Sequence, residues 1–238
     1  MDYNFIRQDS KVCKLPKFIM GSDAFVDFCP RDPVPFYMLS ENYAYSVFSA
    51  AYDYGVRGFD FSWRKQVISA ISKLRMKKND ICCFANINWR CGLMLNGIDI
   101  IDFKERFLKT ICERYFSEKE NNYIASLPEE IRKAWFNYNL KTNDISNKEI
   151  TRIYLDRNKY KNRLKAITPI AEYCLVGTDI VDWIVVLNRL DLLEEMIELI
   201  VSYKLLPIAI THWPSITLPI LSKYPFYSYF CLLNPKVV

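Results

Sequence analysis

Short apolar runs alternate along this chain with longer stretches in which apolar residues recur every three or four positions, and the two periods predict different elements. "KFIMGSD" reads as a short strand, and "SENYAYSVFSAAYDYGV" as a helix opened by Ser40 as N-cap. "RGFDFS" is a second strand, ending near an acid, Asp60. "RKQVISAISKLRMKK" is an amphipathic helix whose basic last turn suits the helix dipole. "DICCFANINW" reads as a buried third strand and "DIVDWIVVLN" as a fourth. "DLLEEMIELIVSYK" is a helix, "LPIAITHW" a fifth strand, "ITLPILSKY" a short helix and "FYSYFCLLN" a sixth strand. Short strands alternating with helices of this length imply an α/β fold of parallel β/α units with right-handed crossovers.

Residues 98–172 interrupt that rhythm with a charged, mostly helical insertion. It comprises "IDFKERFLKTICERYF", then "SLPEEIRKAWFNYN" with Ser126 as N-cap and Pro128 in the first turn, then "NKEITRIYLDRNKYKNRLKAI". Residues 148–165 hold seven Lys/Arg against two acids, the pattern of a solvated helix face or of a lid or docking arm over the ligand end of a barrel.

Composition narrows the picture. With 238 residues, of which 51% are hydrophobic, the chain can bury one sizeable core, and residues 1–238 are expected to form a single domain. A formal charge of +5 is small and dispersed, so no nucleic-acid partner is expected. No apolar run is long enough to cross a bilayer, and "MDYNFIRQDS" lacks the basic start and apolar core of a signal peptide; the expected compartment is the cytoplasm. The eight cysteines form no C-x-x-C pair and read as small buried hydrophobes. With one histidine, neither a multi-histidine metal site nor a His-His relay can be assembled within the chain, and no metal is expected.

The order of four segments resembles the aldo/keto reductase family. "KVCKLPKFIMGSDAF" is similar to its opening hairpin and first barrel strand, and "YSVFSAAYDYGVRGFDFS" to its first helix and the strand carrying a catalytic aspartate. "CLVGTDIVDWIVVLN" is similar to the segment leading into and through its fourth strand, and "SYKLLPIAITHW" to the helix end and fifth strand. The resemblance covers residues 12–90 and 172–235 and implies a TIM-barrel-like fold with a nicotinamide cofactor. It also implies a tyrosine proton donor tuned by a lysine and an aspartate, with a histidine orienting the substrate. Carried over position by position, only the acid survives, as Asp60. The tyrosine position holds Lys65, the strand-three lysine Asn86, and the strand-four histidine Leu187, or Asn188 if the strand carries a bulge. The Ser-Asn pair becomes Thr211-His212, and the sixth-strand glutamine falls on Phe230 or Tyr229. The sequence ends at "LLNPKVV", after the sixth strand, without the later segments in which the family grips its cofactor phosphate. No cofactor is therefore expected, and reductase chemistry is expected to be lost.

Six units predict an incomplete barrel with two exposed sheet edges. The insertion, a second copy of the chain or another protein is expected to cover them. Two functions follow. In one, a small molecule binds or reacts at the C-terminal mouth of the strands, with Asp60, Lys65 and His212 as catalytic candidates and Asn86, Asn188, Thr211 and Trp213 lining the pocket. Asp60 and Lys65 are five residues apart and suit either proton transfer or an ion pair, and Lys65 would serve as a nucleophilic amine if buried. In the other, the protein is a pseudoenzyme and an interaction subunit of a larger complex.

Overall fold

A computed structural model describes residues 15–22, 25, 40–62, 64–87, 90–131 and 143–231. Six parallel strands form one curled sheet, an open half-barrel: β1 (Ile19–Met20), β2 (Gly58–Ser62), β3 (Cys82–Asn86), β7 (Tyr173–Val176), β8 (Leu206–Thr211) and β9 (Ser228–Cys231), side by side in that order. Three further strands, β4 (Leu93–Leu95), β5 (Ile98–Asp99) and β6 (Tyr154–Leu155), make a small antiparallel sheet ordered β5-β4-β6.

Helix α1 (Glu41–Asp53) starts where Ser40 Oγ accepts the amide of Tyr43 and buries Ala44 and Phe48, one helical turn apart. It ends at Gly55, whose φ of +97° is costly for any residue with a Cβ. Helix α2 (Lys65–Lys77) buries Val67, Ala70, Ile71 and Leu74 against the sheet and carries Arg75 and Lys77 in its last turn. Gly58 admits β1 beside β2: a Cβ there would stand 2.5 Å from Pro16 Cγ and 2.9 Å from the Phe18 carbonyl.

The alternation of each strand divides the sheet into two faces. Phe59, Phe61, Cys83, Ala85, Cys174, Val176 and Ala209 join the helices in the main core. Cys82, Phe84, Tyr173, Leu175, Ile208 and Ile210 form a second cluster on the inner face, where the rings of Phe84 and Tyr173 stack 4.8 Å apart. Each such fully buried side chain contributes about 1.5–3 kcal/mol relative to exposure.

The run read as a fourth strand is a helix. β7 ends at Val176, Gly177 turns the chain, and Thr178–Val186 is α7. Ile180, Val181, Trp183, Ile184, Val185 and Val186 are all buried, so the segment has no polar face to give it a helical period, and its β-branched residues imitate a buried strand. α8 (Leu190–Ser202) and α9 (Pro214–Leu221) follow as expected.

The non-barrel segment begins with β4, earlier than the expected boundary at 98. A hairpin through Asn96 (φ +53°) and Gly97 (φ +81°) joins β4 to β5, and a 3-10 turn, Ile100–Phe103, leads into α3 (Lys104–Tyr115) and α4 (Glu118–Ser126). Ser126 is not an N-cap; it is the last residue of α4, its hydroxyl donating to the Tyr123 carbonyl, and residues 132–139 of the helix expected to follow it lie outside the described residues. The third expected helix is two: α5 (Asn147–Ile150), capped by Ser146, and α6 (Arg157–Ile167), capped by Asp156, with β6 between them. Phe107 of α3 stacks on Trp183 of α7 at 5.2 Å, so insertion and half-barrel share the main core.

The thiols of Cys82, Cys83, Cys91, Cys112 and Cys174 are buried, as expected of small hydrophobes. Among the described residues no helix is long and apolar enough to cross a membrane.

Candidate functional site

In a parallel β/α sheet the strands deliver side chains to their C-terminal ends, and a polar cluster occupies that end of β8. Thr211, the last residue of β8, is fully buried and lies on the helix-facing side of the sheet. There it meets Asp182 of α7, 1% exposed. The Thr211 hydroxyl donates to Asp182 Oδ1. The other carboxylate oxygen, Oδ2, accepts the His212 amide at 2.9 Å and lies 3.4 Å from His212 Nδ1. Thr217 Oγ1 lies 2.7 Å from Thr211 Oγ1, and the amide of Trp213 donates to that same oxygen at 3.0 Å.

The cluster satisfies what a buried carboxylate requires, donors at both oxygens. It also orients the imidazole. Asp182 Oδ2 stands 3.4 Å from Nδ1, within ion-pair reach of a protonated ring. The His212 side chain is 39% exposed, so the ring stands between a buried anchor and the surface. Such a pair accepts or donates one proton at one fixed place.

The other expected site residues are distributed as follows. Asp60 is half-buried on the inner face of β2, opposite Phe84. Asn86 ends β3 on that same face, opposite Ser62 and Leu175. Lys65 opens α2 and is exposed rather than buried. Trp213 is half-buried at the N-cap of α9. Thr211 therefore faces away from Asp60 and Asn86: Thr211 and Asn86 end their strands on opposite faces, and Asp60 sits in the middle of β2. Asn188 follows α7 in the left-handed conformation, φ +55°, where asparagine is tolerated, and is exposed. Because 178–186 is helical, Leu187 and Asn188 are not strand residues; Leu187 instead lines a small apolar cavity with Phe107, Trp183 and Leu192.

Asp182 and Thr217 complete the cluster and were not expected from the sequence. One signal was present. An acid inside "DIVDWIVV" is isolated among apolar residues, and a buried acid of that kind needs designated donors.

No protein-family model matches this sequence, no curated protein matches it, and no solved structure matches its fold. The curled parallel sheet is compatible with a TIM-like fold, and no match supports the aldo/keto reductase assignment.

Proposed function

We propose that this half-barrel binds a small molecule at the C-terminal ends of its strands, acts on it by proton transfer at His212, and has lost NADPH-dependent reduction. The observation that supports the reading is the pairing of partly exposed His212 with buried Asp182 at the end of β8. A surface histidine needs no such anchor. A buried carboxylate held by a threonine hydroxyl and a backbone amide, and standing 3.4 Å from Nδ1, suits a ring that presents its other nitrogen to a ligand.

The chemistry is acid–base rather than nucleophilic, because the Thr211 hydroxyl is already committed to Asp182. Trp213 beside His212 offers an aromatic contact at this end, whereas Asp60 and Asn86 lie on the opposite, inner face. Of the reductase residues only the acid has a counterpart, Asp60: Lys65 stands at the tyrosine position, and the strand-four histidine position, Leu187 or Asn188, falls just after helix α7.

Screening the full chain against a metabolite panel by thermal shift is expected to find compounds that raise Tm, since binding to the folded state alone stabilises it. The shift should disappear in His212→Ala and shrink in Asp182→Asn. A shift indifferent to His212→Ala would exclude this site, and saturable quenching of NADPH fluorescence would restore the reductase reading.

A second reading rests on the edges of the sheet. Among the described residues β1 and β9 each pair on one side only, and unpaired strand edges accept a further strand. A second copy or another protein would then dock there, with the chain as an interaction subunit.

A further inference from the structure

The N-terminal end of the sheet, opposite the end that holds His212, carries apolar side chains that folding leaves in water. Ile19 of β1 lies opposite Gly58 of β2, and Gly58 opposite Cys82 of β3, so Phe18, Arg57 and Ile81 stand in one row where the three strands begin. Helices α1 and α2 finish at this same end. Lys78 Nζ ties them together, 4.5 Å from the Tyr52 ring centroid and 4.0 Å from Asp53 Oδ1, and the Arg57 guanidinium lies over the same ring at 3.9 Å. Around that junction Phe18 is 76% exposed, Tyr54 93% and Met76 81%, the three most exposed large hydrophobic side chains among the described residues.

Cations are set between them. Lys17 precedes Phe18, Lys77 and Lys78 follow Met76, and Arg57 comes three residues after Tyr54. Lys204 and Lys223 continue the basic series ahead of β8 and β9. The acids at this end already face cations: Asp80 pairs with Arg57 at 2.8 Å, Asp53 with Lys78, and Glu172 with Arg75. Among the described residues Lys17, Lys77, Lys204 and Lys223 have no carboxylate partner, which leaves the end positive. The helix dipole accounts for Arg75 and Lys77 in the last turn of α2. It gives no reason for two aromatic rings and a thioether to stand in water. One exposed apolar side chain is ordinary, whereas three at one end, set among cations, mark an interaction surface.

We infer that the N-terminal end of the half-barrel docks on an anionic lipid surface, with Phe18, Tyr54 and Met76 entering the interface and Lys17, Lys77 and Lys78 against the headgroups. Apolar tips flanked by lysines suit the boundary between headgroups and acyl chains, where the tips leave water and the cations meet negative charge. The tips project from a strand start and from two helix ends, an arrangement that suits a broad, deformable surface. A second copy of the chain docked through this end would bring like charge against like. The contact is peripheral, and it leaves the end of β8 that carries His212 facing away from the lipid.

The test is cosedimentation of the full chain with vesicles of phosphatidylcholine mixed with phosphatidylserine, against vesicles of phosphatidylcholine alone. Binding that requires phosphatidylserine is expected. It should weaken as salt rises from about 0.1 M to about 1 M and the screening length falls from about 10 Å to about 3 Å. Lys17→Gln/Lys77→Gln should lower the affinity about tenfold, and Tyr54→Ser/Met76→Ser about tenfold or more. Tyr123→Ser, which removes an exposed tyrosine from α4, should leave it within about twofold. Should Tyr54→Ser/Met76→Ser fail to fold by circular dichroism, Phe18→Ser, on a separate segment, is expected to weaken binding in the same direction. Equal affinity for the two kinds of vesicle, or binding to neither, would overturn the site, as would a loss in Tyr123→Ser equal to that in Tyr54→Ser/Met76→Ser. Binding of single-stranded oligonucleotide without binding of vesicles would overturn it too, and would assign the patch to nucleic acid.

Discussion

Buried hydroxyls in this protein divide into two kinds, and substitution should separate them. Thr211 Oγ1 serves the Asp182 carboxylate and the Trp213 amide. Thr211→Val keeps the shape, removes a donor to a buried charge and leaves that amide without its acceptor. The expected cost is about 2–3 kcal/mol, read as a lower midpoint in urea. Tyr160 on α6 is the opposite case. It is fully buried beside Cys91 and Cys174, burial pushes its phenol pKa well above the ordinary range, and its hydroxyl has no hydrogen-bond partner among the described residues. Tyr160→Phe should therefore be neutral or stabilising by up to about 1 kcal/mol. A loss from Tyr160→Phe as large as that from Thr211→Val would refute the distinction. Neither role was legible in the sequence, because whether a hydroxyl has a partner depends on residues brought near by the fold: Asp182 is 29 positions from Thr211.

At the scale of elements, local chemistry was legible where it closes within a few residues. Ser40 and the helix it opens could be read directly, and so could the strands at Gly58–Ser62, Cys82–Asn86 and Leu206–Thr211. Two capping boxes in the insertion follow the same logic. Glu120 is held below the usual carboxylate range by the Ser117 hydroxyl and then its amide, and Glu149 by the Ser146 amide, its hydroxyl and then Arg106. Folded-state values below the unfolded ones mean that the unfolded chain binds protons first. Their stabilisation is present above about pH 4.3 and is lost as pH falls through the lower folded values. Exchange protection of α4 and α5 amides should thus fall below that pH before protection of the sheet does, and Glu149→Gln should remove the α5 component; uniform loss across both regions would contradict it. The hairpin at Asn96-Gly97 carried a local signal, "LNGI", that the helical reading of the insertion overrode. α7 carried none, since its helical character becomes evident only when Trp183 stacks on Phe107 and Asp182 meets Thr211.

At the scale of the whole molecule, the half-barrel with its curled parallel sheet matches what the alternation of periods predicts, while its edges decide how it behaves in company. If β1 or β9 recruits another chain, light scattering after size exclusion should give a mass above 28.2 kDa that rises with concentration, or a stoichiometric partner should remain attached on purification from the native source. A constant monomer mass with no partner would leave the edge without that role. The sequence by itself determined the parallel α/β class, the places of five of the six strands and the break in rhythm after the third, because hydrophobic period and turn chemistry are written over a few residues; the fourth strand it placed is a helix, and Tyr173–Val176 was not expected. Only the tertiary structure decided that 178–186 is a helix and that His212 lies against Asp182. Each depends on which distant groups share a buried, low-dielectric space, and there a missing partner costs more than local propensity can supply.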